Sequence, residues 1–322
     1  MHLKRYWNKS LLKREGKLGP GSFKEEWTLD NTLLTVLGLG LEQTITYVYG
    51  DRPSFEEFEN WIVSTSGLPD AEKVNKFNKL FTGDSCVIET SGPVDDVLTE
   101  DDLDFWEENG YVIVRNAISR EDSDKAVEVI CKHLEIDRYD SATWYNNHPM
   151  KQGIMVQLFQ HPLLAQNRRS PKIQRAFEQL WQRTDIWVNT DRVGFNPPET
   201  PRNPFSGPRL HWDVSIKTPI PFGTQGILYL ADTAENQGAF TLVPGFQHKV
   251  VDWQNNLPAG VNPRTENLYA LGPKPLAASA GDFIIWHQAL PHGSSPNTSA
   301  LPRFVQYINY QPADIKEQGE WV

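Results

Sequence analysis

The sequence predicts a mainly β protein, an antiparallel barrel or jelly roll with flanking helices and a helical N-terminal extension. Three observations carry that expectation. From about Ile186 onward the chain breaks into short β-rich runs, IWVNTDRVGF, RLHWDVSI, QGILYLAD, GAFTLVPG, GDFIIWH and RFVQYINYQ, separated by Pro and Gly. Helical periodicity and capping signals concentrate before that point. Within one run, His211 and Asp213 stand two positions apart, so on a strand they share a face while Trp212 points away.

Residues 1–95 read as a weakly patterned helical extension. The apolar run Leu33–Leu41 is interrupted by Gly38 and Gly40. In PSFEEFENWIV, Ser54 and Glu57 form a capping box, and Phe55, Phe58, Trp61 and Ile62 share one helical face, the pattern of a packed helix. A linker of mixed polarity at Thr90–Val97 leads into the main domain, 96–322. There LTEDDLDFWEENGYVIVRNAIS gives a helix capped by Thr99, a stop at Gly110, a strand Tyr111–Arg115 and a second helix from Ser119. The segment Asn196–Pro208 is too rich in Pro and Gly for a strand; it reads as a rim loop and a candidate lid.

Composition narrows the partners. With 31 Lys+Arg against 41 Asp+Glu the net charge is -10, which disfavours nucleic acid and an anionic membrane surface and leaves a small molecule as the better partner. Cys86 and Cys131 lack metal-like or disulfide-framework spacing, which suits a reducing, cytoplasmic setting. The basic N-terminus lacks the apolar core of a signal peptide, and no stretch approaches the roughly 18 apolar residues of a membrane span. The oligomeric state stays open, with a homodimer among the options.

The chemistry rests on histidines and one carboxylate. A bare H-x-[DE] is a weak signal, and His133-Leu134-Glu135 repeats it inside a predicted helix, where positions i and i+2 diverge. A third ligand must come from a distant strand, and His287 and His292 compete for that role. His292, in the turn-rich HGSSPN segment, is preferred; His287 ends an apolar run and suits a core position. Two imidazoles and one carboxylate on one face of Fe(II) leave three coordination sites open, the arrangement of a catalytic rather than a structural metal. Arg303, 11 residues past His292, opens the run RFVQYINY and offers a bidentate fork for a carboxylate. Thr190 and Arg192, alternating in IWVNTDRVGF, are candidate substrate contacts, and Tyr229 is a candidate wall of the co-substrate cavity.

Together, HWD at 211–213, GAFTLVPGFQHK at 238–249, GDFIIWH at 281–287 and HGSSPNTSALPR at 292–303 resemble the phytanoyl-CoA dioxygenase family of Fe(II)/2-oxoglutarate oxygenases, over about Leu98–Pro312. The resemblance implies a double-stranded β-helix (jelly-roll, cupin-like) core. It also implies iron ligands at His211, Asp213 and His292, a 2-oxoglutarate anchor at Arg303, and Ser294 as a second co-substrate contact. Retention of Asp213 implies hydroxylation of a small organic substrate with O2, releasing succinate and CO2, because halogenating relatives replace that carboxylate. The family's frequent PGSH reads PGFQH here, and residues 1–95 match nothing in the family core. Two other readings are a non-catalytic ligand-binding barrel and a cupin-type metalloenzyme that does not use 2-oxoglutarate.

Overall fold

The computed structural model of the chain describes residues 1–19, 26–82, 95–315 and 320–322. Most of the expected Thr90–Val97 linker, and Cys86, lie outside the described residues. Five helices come first: α1 (His2–Arg14), α2 (Trp27–Val36), α3 (Leu41–Asp51), α4 (Phe55–Ser66) and α5 (Ala71–Thr82). The Leu33–Leu41 run splits at Gly38, whose positive φ ends α2, and Ser54 caps α4 with the expected Glu57 box. These helices bury Leu34, Val48, Phe58, Ile62 and Phe77 in a core of their own, closed by Trp187 from the barrel side.

The entry unit folds as its signals direct. Helix α6 (Glu100–Asn109) is capped by Thr99 and ends on Gly110 at φ +74°, then β1 (Tyr111–Val114) and α7 (Arg120–Leu134, capped by Ser119) follow. Next come the two-residue strands β2 (Lys151–Gln152) and β3 (Met155–Val156), then α8 (Pro162–Arg168) and α9 (Pro171–Trp181). The remaining elements are β4 (Ile186–Val188), β5 (Val193–Asn196), β6 (Thr224–Tyr229), β7 (Phe240–Leu242), α10 (Val250–Asn255), β8 (Lys274–Pro275), β9 (Phe283–His287), β10 (His292–Ser294), β11 (Arg303–Tyr307) and β12 (Tyr310–Pro312).

Every strand pair is antiparallel. A seven-stranded sheet in the order β1-β9-β6-β11-β5-β3-β2 and a three-stranded sheet, β10-β7-β8, enclose one core, while β12 and β4 form a separate pair. Strand alternation divides the apolar residues between two layers. Ile227, Tyr229, Ile284, Trp286 and Val305 face the interior shared with Phe240 and Leu242 of the smaller sheet. Leu228, Phe283, Ile285 and Phe304 face outward onto α7, α8 and α9. Because helices cover that outer face, β6, β9 and β11 are buried on both sides, and the sequence runs through them are almost continuously apolar.

Two expectations about strands need correction. IWVNTDRVGF is two strands in different sheets, β4 and β5, so Thr190 and Arg192 lie in the irregular connection 189–192 and do not alternate on a strand. RLHWDVSI is not a continuous strand either: His211 forms an isolated antiparallel bridge to His292, and the chain bends at Asp213. Among the described residues no helix is long and apolar enough to cross a membrane.

Candidate metal centre

Strand β10 places His292 and Ser294 on one face by two-residue periodicity. The segment before Asp213 is held against β10 through paired backbone bonds, His211 N–H to His292 C=O (2.9 Å) and His292 N–H to His211 C=O (3.0 Å). Gly293 permits this approach, since a Cβ there would sit 2.7 Å from the Arg209 carbonyl oxygen. The bend after Trp212 then turns Asp213 back toward the bridge. Trp212 itself is buried and donates to the Ala289 carbonyl at 2.9 Å, and Arg264 donates to the Trp212 carbonyl at 2.8 Å.

The result is a cluster in which ligand atoms of His211, Asp213 and His292 lie within 4.8 Å of one another. Both imidazoles are oriented from behind by carbonyls two residues upstream. His211 Nδ1 lies 2.7 Å from Arg209 O, and His292 Nδ1 lies 3.0 Å from Leu290 O. A carbonyl only accepts, so each Nδ1 carries the proton and each neutral ring turns an Nε2 lone pair inward. Each Nε2 is 3.2 Å from a different Asp213 oxygen. That spacing suits cis ligands on one cation with bonds of about 2.1 Å, whose octahedral edge is about 3 Å. Gln225 Nε2 donates to Asp213 Oδ2 at 2.7 Å, and Trp286 Nε1 donates to Gln225 Oε1 at 3.1 Å.

Electrostatics agree with a site built for positive charge. Desolvation would push the Asp213 carboxyl upward, but positive charge at the two imidazoles, supplied by Nε2 protons when no cation is present, holds it far below the usual carboxylate range. Burial would lower His211, yet the Asp213 carboxylate raises it above its ordinary value. Without a cation, the three inward atoms either crowd lone pairs together or require extra protons on the rings. A divalent metal satisfies all three at once.

Arg303 is fully buried at the start of β11, opposite Asn196 of β5. Its Nη2 donates to Ser294 Oγ at 3.1 Å, while Nε and Nη1 are buried with no hydrogen-bond partner. A buried guanidinium with two idle donors is costly unless an anion meets it. Tyr229 lies alongside: burial pushes its hydroxyl up to about 12 against the pull of the Arg303 charge. That hydroxyl donates to Leu276 O at 2.9 Å and accepts from Phe240 N–H at 2.8 Å, so it is rigidly held. Tyr307, also raised by burial and lowered by Arg303, completes this wall.

Arg192 pairs with its neighbour Asp191 at 3.6 Å, and its carbonyl accepts from Tyr307 N–H at 3.2 Å. Thr190 instead lines a cavity between the N-terminal helices and α8, and is not gathered into the metal cluster. The competing His287 ends β9 with Nδ1 accepting from Ala289 N–H at 3.0 Å, and burial lowers it to about 4. His133 and Glu135 lie at the C-terminal end of α7, where Glu135 adopts the left-handed conformation, away from the cluster. PGFQH forms a 3₁₀ turn docked on α6, with His248 Nε2 2.6 Å from Glu107 O. Sequence reasoning missed Gln225, Trp286, Arg264 and Tyr307; only Gln225 left a trace, as a polar residue opening an apolar run.

A cavity of about 450 Å³ opens beside Asp213, with Val214, Pro221 and Gln288 from the barrel and Trp321 from the C-terminal end. Lys13 of α1 and Trp27 of α2 also line it.

Comparison with known proteins gives a consistent picture. Residues 106–305, 200 of the 322, match the family model for phytanoyl-CoA dioxygenase (PhyH). A Dictyostelium discoideum protein named "Putative phytanoyl-CoA dioxygenase" is 26% identical over 261 residues, spanning 65% of this chain and 74% of the relative. Ectoine dioxygenase of Bordetella bronchiseptica is 21% identical over 279 residues, 77% of this chain and 87% of the relative. In three dimensions the chain is similar to iron-bound EctD from S. alaskensis, with a TM-score of 0.50 and 13% identity over 72% of this chain and 83% of that one. That likeness bears out the cupin-like double-stranded β-helix expected of the core.

Proposed function

The chain belongs to the phytanoyl-CoA dioxygenase family, and from that premise we propose that it holds one Fe(II) through His211, Asp213 and His292 and uses 2-oxoglutarate and O2 to hydroxylate a small organic substrate. The observation that carries the reading is the pairing of an open three-ligand cluster with a buried guanidinium bearing two idle donors. Ser294 links them, two residues along β10 from His292 and in contact with Arg303. A dicarboxylate suits that arrangement: one end chelates the metal and the other meets Arg303 and Ser294.

When bound, Fe(II) supplies O2 activation coupled to decarboxylation of 2-oxoglutarate to succinate and CO2. The chain's own residues bind, orient and exclude water. The Arg209 and Leu290 carbonyls fix the imidazoles, and Gln225 fixes the carboxylate rotamer so that no ligand must reorganise on binding. Arg303 and Tyr229 are fully buried, with the partly exposed Tyr307 beside them, so charge-assisted hydrogen bonds at that wall are strengthened. The substrate enters through the cavity beside Asp213, where Trp27 and Trp321 offer apolar faces.

The test is anaerobic titration of the Fe(II) protein with 2-oxoglutarate. The metal–keto-acid chelate should give a weak visible charge-transfer band in the wild type, and Arg303→Gln should need far more 2-oxoglutarate to reach it. Iron binding with no band at any concentration would exclude 2-oxoglutarate as co-substrate and favour a metalloenzyme of another kind.

A further inference from the structure

A second cavity, of about 360 Å³, lies where the N-terminal helices meet the oxygenase core and shares no lining residue with the metal cluster. Lys73 of α5 reaches it from one side, and Arg168 and Arg169, at the end of α8, reach it from the other, with His161 at the head of that helix. None of its lining residues is acidic. The nearest carboxylate coupled to Lys73 is Asp70, whose Oδ1 is already engaged by the Glu72 and Lys73 backbone amides at the start of α5. In a chain of net charge -10, three cations, the buried Arg168 and the exposed Lys73 and Arg169, meet across an interface with no carboxylate in the cavity wall; Asp191, behind it, pulls on Arg168.

The cost of this arrangement is visible in Arg168 and Lys73. Arg168 is buried; its Nη2 donates to the Phe159 carbonyl at 2.7 Å and the Asp191 carbonyl at 2.6 Å, while its Nε is buried with no hydrogen-bond partner. Burial lowers it to about 10 against the opposing pull of Asp191. Lys73 is lowered by burial and next by the Arg169 charge, the sign expected when like charges are pressed together. His161 Nδ1 accepts from Leu163 N–H at 3.2 Å, so the proton of the neutral ring sits on Nε2 and makes that atom a further donor.

We propose that this cavity is an oxyanion site for a phosphate group, and that the bound anion ties the N-terminal helices to the oxygenase core. A tetrahedral dianion accepts donors arriving from several directions and offsets more of three positive charges than a carboxylate does. Thr35 and Thr65 add hydroxyls from α2 and α4, and the volume exceeds that of one tetrahedral oxyanion, so a diphosphate or a phosphate ester also fits.

The test is thermal unfolding of the full chain at constant ionic strength in chloride, inorganic phosphate, diphosphate or succinate. Phosphate or diphosphate should raise Tm saturably in the wild type and in Arg303→Gln, whereas succinate, which the co-substrate anchor also accepts, is compared in Arg303→Gln and should not raise Tm there. Lys73→Gln and Arg169→Gln should each weaken apparent phosphate affinity by about 10-fold or more. In chloride both variants should hold or gain Tm, because each relieves like-charge repulsion; a residue needed only for packing would lower Tm in every salt. An Arg303→Gln control should keep the phosphate response. The site is refuted if succinate acts as well as phosphate in Arg303→Gln, if neither cavity variant changes the phosphate response, or if that response vanishes in Arg303→Gln, which would put the anion at the co-substrate anchor.

Discussion

Single side chains decide the chemistry, and Arg303 is the sharpest example. Replacing it with Gln keeps a polar side chain but removes the charge and the fork. Iron affinity should hardly change, while apparent KM for 2-oxoglutarate should rise about 30-fold or more, the equivalent of losing one partner of a desolvated pair at about 2–5 kcal/mol. Arg303→Lys should recover part of the loss, and steady-state kinetics with succinate detection reads both. His211→Ala, Asp213→Ala and His292→Ala should each strip iron, measured by metal content after dialysis, whereas Glu135→Ala should leave content and turnover intact. His287 predicts a different phenotype. Burial holds its folded-state value near 4, below the ordinary 6.5, so the unfolded chain takes up the proton first as pH falls. Its contribution is therefore complete above about pH 6.5 and is lost between there and pH 4, by up to about 3 kcal/mol. His287→Asn, which keeps an acceptor for Ala289 N–H, should flatten that part of the stability profile in urea titrations at pH 7 and 5.

At the scale of elements, β10 and the bend at Asp213 form the working part of the fold. Gly293→Ala would set a methyl 2.7 Å from Arg209 O and 2.9 Å from Pro208 O, displacing the segment that carries His211. Stability should fall by about 1–3 kcal/mol, and iron occupancy should drop although no ligand has been altered. Unchanged occupancy would show that the bridge is not what aligns the two histidines. Legibility in the sequence follows the same elements. Helices α4, α6 and α7 were readable because Ser54, Thr99 and Ser119 are local signals, complete within one turn. The IWVNTDRVGF run misled because β-propensity is continuous across Asn189–Arg192 while the break is dictated by two different partners, β12 for one half and β11 for the other. His211 and Asp213 were legible as a pair for a partly mistaken reason: a bend, not a continuous strand, brings them together. Gln225 and Arg264 escaped notice since their value depends on contacts 12 and 52 residues away.

For the whole molecule, the N-terminal helices are joined to the barrel by a specific contact. Trp187 of β4 is buried in the helical core, with the Lys76 ammonium 4.7 Å from its ring centre. Trp187→Ala should cost about 3–5 kcal/mol, concentrated in that region. Calorimetry should then show the N-terminal helices melting ahead of the barrel, with Fe(II) binding persisting between the two transitions. A single cooperative transition at lower temperature would mean that the helices and barrel share one folding unit.

The backbone bridge between His211 and His292 also bears on how the centre would acquire a metal. Two reciprocal amide hydrogen bonds already close the loop between residues 211 and 292, and the carbonyls behind each ring already set its rotamer. Little chain entropy remains for the cation to remove, so its binding energy goes into affinity instead of folding. A metal held there would load after folding is complete and leave without unfolding the chain. Which divalent ion occupies it then depends on supply and on the order of ligand preference among first-row metals, not on the folding pathway.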